Sequence, residues 1–375
     1  MHVRSKATDR VVHRAVEAYG LLDRVKHPGA SDRFLLRCFS GGMLVLRNAA
    51  LRRWAPFGAL NPIRYGRDAA SLRLFHEASS TIEEAKYDLV HCHFGPNGLR
   101  AVRLREIGAL QGKIVTTFYG FDVSSYVASR GASVYAPLFA QGDLCIGITD
   151  RMRRRLIELG CPPDRALHLA LGIDVAAFPY RPDLRRKDAP IRVLGVGRLV
   201  EKKGFETAIR AFALVARKHP EMRYTIVGDG DLRGRLQRLI RSLGLAEKVQ
   251  LLGDMTDDEV RAQYAASDIF LLASQRASNG DEEGLPQVLL EAQAVGLPVV
   301  STLHSGIGEG VLDGKSAFLV PEGNVEAVAE RLEFLVEHPE CWQAMGSAGR
   351  AFVEANYDVE ASTDRLVRAY EQLLS

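Results

Sequence analysis

Ile191–Gly197, IRVLGVG, is a short apolar run ending in glycines, and it reads as a buried strand. Behind it, Phe205–Lys218 places Phe205, Ala208, Ile209, Phe212, Val215 and Ala216 at helical spacing. The alternation continues as strand Tyr224–Val227, helix Leu232–Leu243, strand Val249–Leu252, helix Asp257–Ala265, strand Ile269–Leu272, helix Pro286–Val295 and strand Pro298–Ser301. Such alternation means βα units around a parallel sheet. Right-handed crossovers then put ligands at the carboxyl ends of the strands.

Toward the amino terminus the style repeats less regularly. Asp88–His91 and Lys113–Thr117 read as strands with helix Asn97–Glu106 between them, followed by strand Leu144–Ile148 and helix Arg151–Leu159. The Pro-rich, charged segment Phe178–Pro190 reads as an interdomain linker. Val359–Leu374 reads as an amphipathic closing helix. The chain opens with a helical pattern (Val11, Val12, Ala15, Val16, Tyr19) where a doubly wound domain would have a strand and a glycine turn. The boundaries expected are residues 1–185, 186–358 and a last helix over 359–375 that crosses back to the first domain.

A chain of 375 residues is comfortable for two domains. Its 47% hydrophobic and 25% charged residues exclude a disordered chain. Apolar runs such as Ala294–Val300 fall far short of the roughly 20 residues a spanning helix needs. The net charge of +3 hides an asymmetry: residues 1–186 carry a balance of +11 and the remainder −8. That points the first half toward an anionic partner, with lipid phosphate, a membrane surface and nucleic acid all qualifying on charge alone. Five scattered cysteines with no C-x-x-C suit a reducing compartment, and no apolar leader is read near Met1.

The richest segment for chemistry is Glu283–Glu291, EGLPQVLLE. Pro286 suits a first helical turn, and the N–H groups near Gly284, Leu285 and Gln287 form a natural seat for phosphate. Eight positions span about 12 Å at a helical rise, enough to engage two ends of an extended ligand. Glu283 is expected in the loop just before this helix and Glu291 in its second turn, both at the start of an exposed-edge helix and dispensable for folding. The plain alternative is a capped surface helix with ordinary carboxylates. In Gly197–Gly204, GRLVEKKG, Arg198 and Lys203 would bring two positive charges to the ligand edge of the sheet, as a departing diphosphate requires. The dinucleotide pattern G-x-G-x-x-G fails here, since Val200 stands where the third Gly belongs. Gly228-Asp229-Gly230 and Ser305-Gly306 offer small residues where a base or phosphate could approach.

Together these segments resemble the family-4 retaining glycosyltransferases, which have the GT-B fold. The resemblance rests on the G-R-L…K-G loop, the V-G-D-G strand end, the E-x7-E element and the following P-V-V-S-T…S-G, and covers nearly all of residues 190–375. It implies that Arg198 and Lys203 bind the donor diphosphate, that Glu283 lies at the transferred sugar and that Glu291 binds the nucleotide ribose. The implied architecture is α/β, with two Rossmann-like domains facing each other across a cleft. The first domain would hold the acceptor, and the second a UDP- or GDP-sugar. The implied activity is a retaining hexosyl transfer to a glycan or lipid-diphosphate-linked acceptor in polysaccharide biosynthesis, with no metal cofactor and no nucleic-acid partner. An epimerase of the same fold or a non-catalytic binding protein remain as alternatives. The expected location is the cytoplasm, peripheral on the inner face of the membrane.

The first half is similar to the same family, closest in style to bacterial exopolysaccharide enzymes of the colanic-acid type. The carriers are His91-Cys92-His93-Phe94-Gly95-Pro96-Asn97-Gly98, Thr116–Asp122 (TTFYGFD) and Leu171-Gly172-Ile173-Asp174. Acceptor-side candidates are His93, Tyr119 and Asp122; Tyr119 stands where the family often has a His, and a tyrosine is a poor base at neutral pH. The family's opening strand and glycine-bearing loop have no counterpart at the start. That leaves a truncated chain, a start downstream of the true initiator, or a subgroup without that strand. His91 and His93 would share one face of a strand, but two ligands do not make a zinc site. Arg33–Trp54, RFLLRCFSGGMLVLRNAALRRW, mixes large apolar residues with five arginines. It suits either an anionic membrane surface or the first domain's core, and Gly41-Gly42 are expected to interrupt a continuous helix.

Overall fold

The computed structural model describes residues 33–82, 86–182 and 190–375. The helical pattern at 11–19 and most of the linker lie outside the described residues. In chain order the helices and strands are α1 Phe34–Ala50, α2 Pro62–Ala70, α3 Arg73–Thr81, β1 Lys86–His93, α4 Gly95–Glu106, β2 Gln111–Phe118, α5 Ser125–Arg130, α6 Ala136–Gln141, β3 Leu144–Gly147, α7 Asp150–Glu158 and β4 Ala166–His168. They continue as β5 Arg192–Val196, α8 Phe205–Val215, β6 Arg223–Val227, α9 Arg233–Ser242, β7 Val249–Gly253, α10 Asp257–Ala266, β8 Ile269–Leu272, α11 Gln287–Val295 and β9 Val299–Thr302. The last are β10 Ala317–Val320, α12 Val325–Glu337, α13 Trp342–Asn356 and α14 Val359–Leu374.

Two compact units divide the chain. One holds the chain through Thr117 with Tyr135–Cys145 and Tyr370–Ser375, and the other holds Phe118–Val134 and Ile146–Ala369. The smaller sheet has the order β1-β2-β3-β4, with β1 and β2 parallel and His91 opposite Val115. The larger sheet has the order β10-β9-β8-β5-β6-β7 and its neighbouring strands are parallel. The apolar run at β5 is buried because the sheet is covered on both faces, as parallel sheets are. Helix α8 turns Ala208, Ile209, Phe212 and Val215 into the same core. The βα alternation therefore stands as expected, with ends shifted by one to three residues. Helix α11, for example, starts at Gln287, with Pro286 as its extended cap. Of the elements after β9, the closing helix α14 stands as read, while β10, α12 and α13 were not anticipated. Asn324 caps α12 through Ala327 N–H, and Val328, Leu332 and Leu335 bury its inner face.

Helix α1 corrects one expectation. Gly41 and Gly42 do not interrupt it: it runs unbroken over 17 residues. A Cβ at Gly41 would come within 3.3 Å of Leu72 Cδ1, so the missing side chain lets α1 lie close to the α2–α3 turn. That packing outweighs the roughly 1 kcal/mol a helical glycine costs. The face so packed is polar. Arg37 Nε donates to Ser71 O at 2.9 Å, and Asn48 Nδ2 donates to Ser79 Oγ at 2.8 Å. The large apolar residues do not enter the core: Leu35 is 81% and Leu46 72% exposed, with Phe39, Met43 and, beyond the helix, Trp54 exposed beside them.

Candidate active site

The larger unit assembles most of the residues singled out from sequence around the segment between β8 and α11. The Gly197–Gly204 loop leaves β5 and turns through a short 3-10 helix at Glu201–Lys203. Gly204 ends the turn at φ +63, where a Cβ would lie 1.7 Å from Ala273 O, so only glycine brings this loop so close to the end of β8. Arg198 is exposed on the loop, and Lys203 is half-buried. Gly228 and Gly230 back this loop: a Cβ at Gly228 would meet Gly197 O at 2.2 Å and one at Gly230 would meet Leu199 O at 2.7 Å.

Lys203 Nζ lies 3.2 Å from Glu283 Oε1, and Lys202 Nζ lies 4.0 Å from the same oxygen and 3.1 Å from Asp281. Glu283 is only 7% exposed, which revises its expected exposure. It belongs to the loop before α11 and is buried because two lysines neutralise it there. Removing it outright would take from Lys203 its carboxylate partner, while Lys202 would keep Asp281. The approach of Lys203 leaves Glu283 Oε1 without a hydrogen bond, and Ser274 Oγ and Asp281 Oδ1 nearby in sequence are also buried with none.

The loop is held from several sides. Glu283 N–H donates to His304 Nε2 at 3.1 Å, and His304 Nδ1 lies 2.6 Å from Glu322 Oε1. Burial raises the Glu322 pKa, but the Arg276 N–H bond and His304 outweigh it and hold the carboxyl below its usual range. Gly306 N–H donates to Gly284 O at 3.1 Å, next to Ser305 in a left-handed conformation at φ +46. A Cβ on Gly284 would lie 2.1 Å from Tyr119 O, so the TTFYGFD segment packs directly on this backbone. Asp122 is fully buried and its Oδ1 accepts the N–H groups of Tyr119 and Gly120 at 2.9 and 3.0 Å. Its carboxylate thereby shapes the turn. Leu285 sends its side chain into the core. Glu291 lies in the second turn of α11, where Tyr264 OH sits 2.8 Å from its Oε2. Burial raises its pKa, partly offset by that hydroxyl.

A cavity of about 870 Å³ opens here, bordered by Gly120, Ser124, Glu283 and Ser305 and by Arg151, Arg154 and Arg155 of α7. The α7 amino terminus is itself satisfied, because the Glu309 carboxylate accepts the N–H groups of Asp150 and Arg151 at 2.6 and 2.8 Å. His93 belongs to the other unit. It is exposed and stacks on His91 at 4.7 Å between ring centroids, the shared face expected of a strand. His91 Nε2 bonds Thr117 Oγ1 at 2.7 Å; burial, helped by His93, pushes its pKa down to about 4. Among the described residues, the one ligand-like group of three is His219, Glu333 and Glu337, and Lys218 already pairs with Glu333 at 2.7 Å. Sequence reasoning missed Lys202, His304 and Glu322. Lys202 was adjacent to a chosen residue, and His304 sat inside the S-T…S-G segment, but nothing local marked either as buried.

Residues 34–177 match the family described as Glycosyltransferase Family 4, and residues 178–352 match Glycosyl transferases group 1. A colanic acid biosynthesis glycosyltransferase, WcaL, of Salmonella typhimurium is 39% identical over 334 residues, covering 87% of this chain and 80% of the relative. The amylovoran biosynthesis glycosyltransferase AmsK of Erwinia amylovora is 36% identical over 83% of this chain and 76% of its own. A GDP-mannose-dependent phosphatidylinositol monomannoside mannosyltransferase of Mycolicibacterium smegmatis is 30% identical over 75% of this chain and 76% of its own. The fold matches the crystal structure of Anabaena HepE in complex with UDP and glucose with a TM-score of 0.69 at 19% identity, over 82% of this chain and 89% of that one. With both halves matched in order and relatives of this closeness, the chain belongs to the family-4 glycosyltransferases and has their GT-B fold of two parallel-sheet α/β domains.

Proposed function

We propose that the protein transfers a hexose from a nucleotide-sugar donor to a polysaccharide precursor with retention of anomeric configuration. The observation that carries this reading is the buried Glu283, paired with Lys203 on the wall of the cavity. Arg198 and Lys203 stabilise the departing diphosphate as its charge grows, and Glu283 faces the sugar. The glycosidic bond to phosphate breaks and the bond to the acceptor oxygen forms on the same face. The departing phosphate oxygen takes the acceptor proton, so no metal is needed for the balance. Glu291 holds the ribose. The donor is a UDP- or GDP-sugar: the Anabaena protein was crystallised with UDP, and the mycobacterial relative is named for GDP-mannose.

An acceptor carrying a diphosphate or another oxyanion would find Arg151, Arg154 and Arg155 of α7 on the cavity border, the last two also paired with Asp150 and Glu158. That border includes Gly120, Ser124 and α7, segments that the sequence reading assigned to the acceptor domain. Docking on an anionic membrane from the cytoplasmic side fits the exposed apolar side of α1. That side is flanked by Arg33, Arg47, Arg52 and Arg53, a pattern that lies in the headgroup region. No helix among the described residues is long and apolar enough to cross a membrane. Incubation with radiolabelled UDP- and GDP-sugars, with and without a lipid-diphosphate-linked acceptor, tests the reading. Label must move to the acceptor; a changed nucleotide sugar would make the protein an epimerase, and no reaction with any donor would make it a binding protein.

A further inference from the structure

We propose that His304 is a positioning residue for Glu283. With its proton on Nδ1, it fixes the backbone from which the Glu283 carboxylate reaches the reacting sugar. The inference rests on the role of Glu283 argued above, and it adds a device that role does not supply.

His304 follows β9 and is 2% exposed. Its Nε2 faces the Glu283 N–H at 3.1 Å, and a backbone N–H can only donate, so Nε2 is the unprotonated nitrogen. The proton then lies on Nδ1, directed at Glu322 Oε1 at 2.6 Å. The other oxygen of Glu322 accepts the Arg276 N–H at 2.8 Å. One imidazole–carboxylate pair therefore takes an N–H from each end of the loop, at Arg276 and at Glu283. Glu322 lies two residues past the end of β10, so the pair ties the loop to the ends of two neighbouring strands. Other bonds hold the start of the loop: Gln275 N–H reaches Lys202 O, and Thr302 Oγ1 donates to Ser274 O. At the Glu283 peptide N–H, His304 is the partner. An ionised Glu322 keeps the proton on Nδ1, as second-shell carboxylates do for imidazoles.

A stabilising role alone would lower the melting temperature without selecting turnover. Positioning predicts a split. In Glu322→Gln, one amide must serve two donors, so either the Arg276 N–H loses its acceptor or the His304 proton is driven to Nε2, against the Glu283 N–H. The side-chain shape is kept. The full chain, assayed with whichever donor gives transfer, should then lose about tenfold to a hundredfold in kcat while the donor KM moves less than about threefold. His304→Ala should lose as much, and His304→Gln should regain most of it, because its Oε1 can accept the Glu283 N–H. Imidazole ¹⁵N spectra of the full chain, assigned with His304→Gln, should show the proton on Nδ1. A proton on Nε2 in the wild type, wild-type kcat in His304→Ala and Glu322→Gln, or no advantage of Gln over Ala at 304 would each overturn the proposal. Full transfer by Glu283→Gln would overturn the reading of Glu283 instead, and that variant alone tells the two failures apart.

Discussion

Helix α1 and the loop between β8 and α11 both put residues on the unusual side of the protein surface, in opposite senses. The loop buries charge: Glu283 is less than a tenth exposed, as is Lys202, which the Gly197–Gly204 loop brings against it. Helix α1 exposes apolar side chains and buries Arg37 and Asn48. In the loop the compensation is internal, because each buried charge meets an opposite charge or a backbone group within its own unit. On α1 the polar groups are satisfied inward, but nothing among the described residues covers Leu35, Phe39, Met43 and Leu46. Buried charges with partners set geometry; exposed apolar surface calls for an outside partner.

The largest effect separating the two regions should come from Glu283→Gln. It keeps the shape and a polar contact to Lys203, yet should lower kcat by about 10³-fold with donor binding retained. Normal turnover in this variant would reduce the loop's buried charges to a structural role. Arg198→Ala and Lys203→Ala should each cost about 3 kcal/mol in turnover. Thermal unfolding distinguishes them: Lys203→Ala leaves Glu283 with a weaker partner and lowers the melting temperature, whereas Arg198 is exposed and its removal does not. If both raise only the Michaelis constant, the two cations bind the ground state and the leaving-group role falls.

On the α1 side, Arg52→Glu with Arg53→Glu should reduce flotation with anionic liposomes, each basic residue contributing about 1 kcal/mol at low salt. Absence of flotation by the folded wild type at low salt would remove the membrane from the comparison. Glu291→Ala should raise the donor KM by about tenfold, the loss of one hydrogen bond to a charged group, with a smaller change in kcat. The smallest effect is the sharpest test of exposure. Leu35→Ser should change stability by no more than about 0.5 kcal/mol in solution and still weaken liposome binding. A large loss of stability would mean that α1 packs its apolar face within the folded chain.

The βα alternation from β5 to β9 was legible because each element announces itself locally, through an apolar run or a helical repeat. The candidate site was legible as a set of positions, since strand ends, glycines and a helix start locate a ligand-facing edge. Its electrostatics were not. Glu283 and Glu291 look alike in sequence, yet one pairs with two lysines and the other with a buried tyrosine. Arg198 and Lys203 read as equals, and the structure exposes one and pairs the other.

Periodicity and turn chemistry act between neighbours a few residues apart, so the sequence by itself determined eight of the ten described strands, half of the described helices, the parallel α/β class and the family. Burial, ion pairing and tautomer depend on groups far apart in the chain, and only the tertiary structure decided them. Gly41-Gly42 illustrate the limit. Read locally they break a helix; in the fold Gly41 packs against Leu72 and the helix runs on through both, with its polar side inward and its apolar side open to whatever lies outside. His304 and Glu322 illustrate the same physics in the loop: 18 residues separate them, and only the pairing of β9 with β10 brings their side chains within 2.6 Å.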